Sequence, residues 1–451
     1  MKKRAPSIFS QSPSKSAANN KRGRKNPSQA LGPVQHFTVD GLTHEAKGVA
    51  RSQGKVTFIA GALPSETVTA QVIKSNRRYD EAKLLDIQQK SAHRVVPECP
   101  HYEHCGGCSF QHLTIEQQRA EKMHWLQGQL RKVCPDQRLT ELTDSPFGYR
   151  RRARLAVRVK DQQLRLGFRA KSSQNIVSID NCLVLTPQLQ GIFRHLKAEL
   201  KQDSVAAKIG HIELLEDTKG LSVLLRLTAT ISSEEHQKWQ LWAEQQQVDL
   251  YWQTPGEHRA KVPPQDMRHY QLDGFNLTYY PQDFIQVNAT MNEKMVAQAM
   301  DWLTPNQDDV VLDLFCGVGN FSLPLAKRAK QVVGVEVQPS MVAAGQVNAK
   351  KNQLDNLSFI AADLTQPAPK TITSLGVTKV LLDPPRAGAF EFLLTLVKLR
   401  PKQILYVSCD AATLARDAEY LVAKGYKVKR AAMMDMFPQT AHLETMMLMA
   451  L

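Results

Sequence analysis

Cys409 closes the run "ILYVSCD" (residues 404–410), an apolar, β-branched stretch of strand character that ends in a serine, a thiol and a carboxylate. A cysteine in such a place is core filler, because an unpaired cysteine packs as a small hydrophobe, or a metal ligand, or a nucleophile. Its companions along the chain bear on the choice. Other apolar runs also end in groups that can do chemistry: "VVLDLFCGVG" in a glycine turn, "VVGVE" in Glu336, "LSFIAAD" in Asp363 and "KVLLD" in Asp383. Two prolines follow Asp383 in "LLDPPRAG" and stiffen the chain so that the carboxylate is held out at the strand end. Further on, "DMFPQTAHLETMMLM" supplies Glu444 directly before an apolar closing run, with His442 two residues earlier.

Apolar strand runs alternating with helical stretches from about residue 285 onward are the pattern of a doubly wound α/β sheet. Ligands of such sheets bind in the crevice at the carboxyl ends of the strands. Gly317 and Gly319 let the chain turn tightly there. A dinucleotide site has a third glycine three residues on, but position 322 is serine, which disfavours a pyrophosphate. Glu336 can accept both hydroxyls of a ribose and Asp363 ends the next strand near the place of an adenine, so the expected ligand is a nucleoside without phosphates, S-adenosylmethionine. A methyl donor beside a thiol and carboxylates suits methylation of a pyrimidine at C5. That carbon is a poor nucleophile until a thiolate adds to C6, and a base must afterwards remove the C5 proton so that the thiol can leave. Cys409 is the expected nucleophile at the fifth strand edge. Glu444 is the expected base, with His442 competing because the two would share one face of a strand.

The elements that must hold these groups come from a chain of 451 residues, room for about three domains. Its 42% hydrophobic and 22% charged residues are those of a globular protein, and no run approaches the roughly 18 apolar residues of a membrane helix. No signal-peptide core opens the chain and seven cysteines, an odd number, do not read as a disulfide framework, so a reducing, cytoplasmic setting is expected. The net charge of +15 points to a polyanionic partner, RNA or DNA before anionic membrane. About half of it lies in residues 1–30, which carry eight Lys and Arg and no acid in a Ser-, Pro- and Asn-rich stretch. Residues 1–33 therefore read as a disordered basic tail: a solubilising extension, an RNA-gripping arm, or a transit peptide.

Residues 34–92 show short alternating strands, "KVTFIAG", "ETVTAQVIK" and "EAKLLDIQQ", broken by Gly, Pro and Asn turns. This is the spacing of a small oligonucleotide-binding (OB-like) barrel, with "IKSNRRY" as a basic and aromatic patch. A central α+β domain is expected over residues 93–283, with a helix over 114–133. Thr114 and Gln117 form a capping-box pair for that helix, and Ile115, Leu126, Leu130 and Val133 supply an apolar stripe that could pack on the catalytic domain, residues 284–451. In "YRRRARLAVRV" strand alternation sends Arg150, Arg152, Arg154 and Arg158 to one face and Ala153, Leu155, Val157 and Val159 to the other. Aligned guanidiniums repel unless a polyanion or acidic neighbours answer them, and RNA contact is the expectation.

Cys99, Cys105 and Cys108, with Gly106 and Gly107 in the turn and Cys182 following in "SIDNCLVL", form a thiol set that would hold zinc or an iron–sulfur cluster; spacing alone does not separate the two. Cys316 reads as a packing residue in the glycine turn, and Cys134 has no evident partner.

The motifs "DLFCGVGNFSLPLA", "LLDPPRAG", "YVSCD" and "DMFPQTAHLE", in that order, resemble those of the RNA uracil-5-methyltransferases, and the resemblance covers nearly the whole chain from residue 35. It implies a C-terminal Rossmann-like S-adenosylmethionine-dependent methyltransferase domain, a TRAM-type barrel and a mixed central domain. It also implies Cys409 as nucleophile and Glu444 as proton acceptor, with Gln286 in "DFIQVN", Phe315, Asn320, Glu336, Asp363 and Asp383 lining the donor and base sites. RNA cytosine-5-methyltransferases carry a cysteine after their DxP element, where Arg386 stands here. The cysteine spacing resembles the branch that methylates 23S ribosomal RNA with a [4Fe-4S] cluster, and the tRNA-modifying branch lacks those cysteines. The resemblance thus implies such a cluster on Cys99, Cys105, Cys108 and Cys182, structural or engaged in RNA binding. A radical mechanism is disfavoured, because its CxxxCxxC motif leaves one iron unligated and here four thiols are available. The implied target is uridine 1939 of 23S ribosomal RNA, turned out of its stack, with a monomeric enzyme and no protein partner. Two alternatives stand beside it: a uridine of tRNA or elsewhere in ribosomal RNA, and a noncatalytic RNA-binding assembly factor that keeps the fold.

Overall fold

The computed structural model describes residues 32–135 and 139–451, so the basic tail lies almost wholly outside the described residues. Strands β1 (Val34–Leu42), β2 (Lys47–Ser52), β3 (Lys55–Ala60), β4 (Thr67–Ser75) and β5 (Tyr79–Gln89) close into a barrel in the order β1-β2-β3-β5-β4. Alternation turns Phe37, Val39, Ile59, Val68 and Ala82 inward to a small core. The exit from the barrel is pinned by buried Glu66, which accepts from Arg94 Nε at 2.5 Å and Nη2 at 2.8 Å.

Helix α1 (Ile115–Leu130) follows. The expected capping box is not formed: Thr114 makes no side-chain cap and Gln117 bonds Glu121 instead. The expected stripe is only half correct as well. Leu126 and Leu130 are buried, but the other two buried residues of the helix are Gln118 and Lys122, whose polar ends bond to distant segments. Tertiary contacts override the local signal. Beyond the helix, Cys134 and Leu139 enter the same core as the catalytic sheet, and β6 (Thr140–Leu142) adds a strand to that sheet's edge.

The middle of the chain supplies β7 (Arg152–Lys160), β8 (Gln163–Arg169), β9 (Ile176–Ser178), α2 (Pro187–Gln202), β10 (Ile209–Asp217), β11 (Gly220–Leu227), α3 (Ser233–Gln245) and β12 (Val248–Gln253). The strands form one sheet, β12-β11-β10-β7-β8-β9, whose Leu155, Leu166, Ile212, Leu214 and Val223 pack with α2 and α3. The arginine row is shorter than expected. Arg150 precedes the strand, and Arg152 pairs with Glu213 of β10 at 2.8 Å, a carboxylate that also takes Arg226. An acidic neighbour answers that part of the row; Arg154 and Arg158 stay exposed.

A hairpin, β13 (Arg268–Leu272) and β14 (Phe275–Tyr279), leads onward. Arg268 is wholly buried, with Asp217 at 2.5 Å and Asp249 at 2.7 Å, and so bolts the hairpin to the central sheet. The catalytic domain then runs α4 (Ala289–Leu303), β15 (Val310–Leu314), α5 (Ser322–Ala326), β16 (Gln331–Glu336), α6 (Pro339–Lys351), β17 (Leu357–Ala361), α7 (Lys370–Thr373), β18 (Lys379–Leu382), α8 (Phe390–Leu399), β19 (Gln403–Ser408), α9 (Ala411–Val422), β20 (Lys427–Met434) and β21 (Glu444–Ala450). Its sheet has the order β17-β16-β15-β18-β19-β21-β20-β6. Strands β15 to β19 pair in parallel, so both faces must be covered, which is why they read as unbroken apolar runs. Strand order reverses between β15 and β18, the position where such sheets open a ligand crevice. No helix among the described residues is long and apolar enough to cross a membrane.

Arg268→Ala leaves the buried Asp217 carboxylate uncompensated. Breaking a buried pair in this way costs about 3–5 kcal/mol. The urea midpoint of the central domain should fall accordingly, while Arg158→Ala on the exposed face should move it by less than about 0.5 kcal/mol.

Candidate active site

Register alone assembles the reacting groups. In the parallel pair of β18 and β19, Leu382 lies beside Tyr406; in the antiparallel pair of β19 and β21, Ser408 lies beside Thr445. One residue past these pairs come Asp383 and, facing one another, Cys409 and Glu444. Alternation places all three on the sheet face of Leu381, Val407 and Met446, which pack in the core with the α4 residues Met291 and Met295.

Cys409 is half-buried, and its thiol is pushed up to about 11, first by burial and then by the carboxylates of Glu444 and Asp383. Arg386 is the one cation that acts the other way. Glu444 is 8% exposed, and burial followed by the nearby Asp383 lifts its carboxyl well above the usual range. Burial raises Asp383 to about 7. In the free protein at neutral pH the thiol is therefore protonated, and Glu444 is a carboxyl of high proton affinity, a property that suits removal of a weakly acidic proton.

His442 does not share a strand face with Glu444, contrary to expectation, because β21 begins only at Glu444. The histidine lies in the preceding turn, where its amide donates to Thr440 Oγ1 at 3.3 Å and its ring meets Phe437 edge-on. Its Nδ1 is 3.5 Å from Arg386 Nη2, and burial together with Arg386, Lys122 and Arg150 holds the imidazole below its ordinary range.

The donor side is built by the turn after β15. Phe315 adopts φ +62° and Gly317 φ +57°, and Gly319 has φ +102°, a conformation that side-chain-bearing residues rarely adopt. Glu336 spans this turn, accepting from the amides of Gly317 at 3.2 Å and Gln338 at 3.0 Å. Beside it lies Asp313, which sequence reasoning missed although a carboxylate inside the apolar run "VVLDL" was a visible signal. Its Oδ2 accepts from Ser322 Oγ at 2.5 Å while its buried Oδ1 has no partner. Burial raises it to about 7 against the Ser322 hydrogen bond, with Asp383 and Glu336 adding to the rise. An orphaned buried acceptor one residue from the end of β15, beside the carboxylate of Glu336, fits a ligand that brings both hydroxyls and an ammonium.

The other expected contacts are engaged within the protein. Asn320 Oδ1 accepts from Tyr270 at 2.9 Å and from Asn292 at 3.0 Å, and Asp363 accepts from the amide and hydroxyl of Thr365. Gln286 lies in the β14–α4 connection with its carbonyl bonded by Arg151 Nε at 2.8 Å. Two residues before it, Phe284 is 67% exposed, an aromatic that sequence reasoning also passed over. A cavity of about 590 Å³ between Arg259, Tyr280, Gln282 and Ser340 is lined by none of Cys409, Glu444 or Asp383.

Cys99, Cys105, Cys108 and Cys182 are free thiols, near enough for their charges to act on one another. Burial pushes Cys108 up to about 11 and Cys182 up to about 12; Cys105 and Cys99 add to the first shift, Cys108 and Cys105 to the second. The end of β8 docks the loop, Gly106 N donating to Arg169 O at 2.9 Å. Among the described residues, however, no three His, Cys, Asp or Glu side chains are arranged to hold a metal ion. Donor chemistry and mutual proximity fit a thiolate-held group, while the side chains are not closed around one.

A Rossmann-type sheet with a nucleoside-sized edge and a thiol facing a carboxylate across its last strands is the architecture of a methyltransferase. The tRNA (uracil-5-)-methyltransferase family model matches residues 114–451, and a TRAM domain matches residues 29–85. The chain belongs to the tRNA (uracil-5-)-methyltransferase family. It is 62% identical over 421 residues, 93% of this chain and 96% of the relative, to a protein of Marinomonas sp. (strain MWYL1) named 23S rRNA (uracil(1939)-C(5))-methyltransferase RlmD. Proteins of the same name from Shewanella sediminis (strain HAW-EB3) and Pseudomonas putida are each 43% identical; the matches cover 95% and 94% of this chain and 99% and 96% of the relatives. Among solved structures, Pyrococcus abyssi tRNA (uracil-54, C5)-methyltransferase in complex with S-adenosyl-L-homocysteine has the same fold, with a TM-score of 0.75 at 22% identity over 92% of this chain and 99% of that one.

Because the Cys409 thiol lies near 11, its alkylation by iodoacetamide in the free protein should climb about tenfold per pH unit from roughly pH 8 to 10, where an ordinary cysteine near 8.5 levels off. Arg386→Gln should slow it further at fixed pH, as read by peptide mass spectrometry.

Proposed function

We propose that this protein methylates C5 of uridine 1939 in 23S ribosomal RNA, with S-adenosylmethionine as donor. The observation that carries the reading is Cys409 facing Glu444 across β19 and β21, at the edge that also presents Glu336 and Asp383. The names of relatives at 43–62% identity favour ribosomal RNA over tRNA as substrate.

S-adenosylmethionine, when bound, supplies an electrophilic sulfonium methyl. Glu336 would take its ribose hydroxyls, with Asp313 receiving its ammonium, and Gln286, Phe315, Asn320 and Asp363 bordering the site. Cys409 Sγ, its proton lost to solvent as the base is seated, bonds to uracil C6, and the C5–C6 electron pair moves toward O4, beside Asp383. C5 then takes the methyl as its bond to the sulfonium sulfur breaks and the electron pair stays on that sulfur; Glu444, ionised once the base is seated, accepts the C5 proton, and the bond between Sγ and C6 breaks to restore the double bond and release the thiolate. The raised thiol makes addition depend on the bound uracil rather than on a pre-formed thiolate. The uridine must leave its stack to reach Cys409, and exposed Phe284 offers a stacking surface near Gln286.

Residues 1–33 act as a basic tail, 34–92 as the RNA-binding barrel, 93–283 as the central region, of which α1 and β6 pack on the catalytic sheet, and 284–451 as the main part of the methyltransferase domain. The chain works as a cytoplasmic monomer with RNA as its partner. Cys99, Cys105, Cys108 and Cys182 hold a [4Fe-4S] cluster, which when bound staples the loop of the first three to the segment of the fourth; no catalytic step passes through it.

Incubation with 5-fluorouridine-containing ribosomal RNA and S-adenosylmethionine should trap the protein covalently through Cys409, because fluorine cannot leave as a proton. Cys409→Ala should give no adduct. RNA binding without any adduct in the unmodified protein would leave the noncatalytic assembly factor as the better reading. Protein purified anaerobically should be brown and hold about four iron and four sulfide per chain. A colourless preparation with zinc would count against the cluster.

A further inference from the structure

The loop that delivers Glu444 is held by the segment that follows the cysteines. Gln439, 5% exposed and five residues before Glu444, adopts φ +68°, a left-handed conformation that a residue with a side chain keeps only when its surroundings over-determine it. Here they do. Its carbonyl accepts from the amides of Ser109 and Phe110, both at 3.0 Å. Its amide donates to Gln118 Oε1 at 3.1 Å and its Oε1 accepts from Gln118 Nε2 at 3.0 Å. Gln118 Nε2 also reaches the carbonyls of Phe110 at 3.0 Å and Leu113 at 2.8 Å. On either side of Gln439, Tyr149 donates to the Pro438 carbonyl, Lys122 to the Phe437 carbonyl, and the Ala441 amide to Ser109 Oγ at 2.9 Å.

We propose that Gln439, locked to Gln118 and to the Ser109–Phe110 amides, is a positioning residue for Glu444, so that the order of the cysteine loop reaches the proton-removing base through Ser109, the residue after Cys108. This rests on the reading of Cys409 and Glu444 given above. Glu444 is the first residue of β21, paired with Met434 of β20, and upstream of that pair its backbone is held by the loop. Cys409 does not depend on that loop: it follows β19, and the next residue, Asp410, caps α9 by accepting from the amides of Ala412 and Thr413. Loss of the clamp should therefore fall on proton removal and spare thiol addition. A loss of general stability would weaken both.

The test uses the full-length protein with its cysteines loaded as purified, a 23S ribosomal RNA transcript and methyl-labelled S-adenosylmethionine, and compares Gln118→Ala with the unmodified protein and with Glu444→Gln. Gln118→Ala should turn over at least about tenfold more slowly and accumulate a methylated covalent adduct on denaturing gels, as Glu444→Gln does, with the rate of adduct formation within about twofold of the unmodified protein. Ser109→Ala, which removes one hydroxyl from a half-buried position, should give the same pattern in smaller measure and serves if Gln118→Ala fails to fold. Equal slowing of adduct formation and resolution, or no slowing of either, would overturn the clamp. Adduct accumulation by Glu444→Gln alone would overturn the clamp and leave the covalent mechanism standing. Absence of any adduct from the unmodified protein on 5-fluorouridine RNA would remove both.

Discussion

The site depends on one pairing, the antiparallel insertion of β21 between β19 and β20, with Ser408 opposite Thr445. A slip of one residue would send Glu444 to the other face, into the core of Tyr406 and Met447, and leave Cys409 without a carboxylate. Side-chain polarity does not prevent that slip. Met446 and Leu448 bury in one core while Met447 and Met449 bury in the other, so both faces of β21 are apolar and either register would hide the same kind of surface. The register must be imposed from the ends, by the Leu451 amide on the Lys402 carbonyl at one end and by the bonded turn from Phe437 to Ala441 at the other.

Electrostatics follow from that pairing. Three acids, Asp383, Cys409 and Glu444, crowd one strand edge where burial disfavours their charged forms, and each anion would raise its neighbours. Among the described residues, exposed Arg386 offsets Cys409 and Glu444, and it is shared with the ring of His442. Burial thus holds Cys409 and Glu444 toward their protonated forms. A planar base that excludes water and offers its own donors and acceptors would change the balance for all three at once.

The five parallel strands were legible in the sequence because burial on both faces writes them as continuous apolar runs, and the groups at their ends stand out against that background. Glu336, Asp383, Cys409 and Glu444 were singled out in this way, and the structure places them at the ends of β16, β18 and β19 and the start of β21. What escaped was set by residues far away in the chain. The place of His442 follows from where β21 begins, which the Thr440 turn and Ser109 help decide, and no local pattern reports it. The Thr114 capping box gave way to Gln118, whose partner Gln439 lies 321 residues on. The arginine row was answered in part by Glu213, 61 residues beyond Arg152. Asp313 was different, since a lone carboxylate in the middle of a buried strand was visible and went unused.

The segment between the cysteines and β7 also explains how the catalytic unit is assembled. The family match begins at Thr114, the residue before α1, and α1 and β6 pack on the catalytic sheet rather than on the central one. The six-stranded central sheet is thus an insertion between two parts of one catalytic body. Along the seam, Lys122 is buried with Asp435 at 2.7 Å and Gln118 with Gln439, where apolar side chains would have cost less to bury. Polar pairs have one satisfactory alignment and apolar pairs have many. A seam that must set a strand end to within a fraction of a residue is where that difference in specificity outweighs its cost in stability.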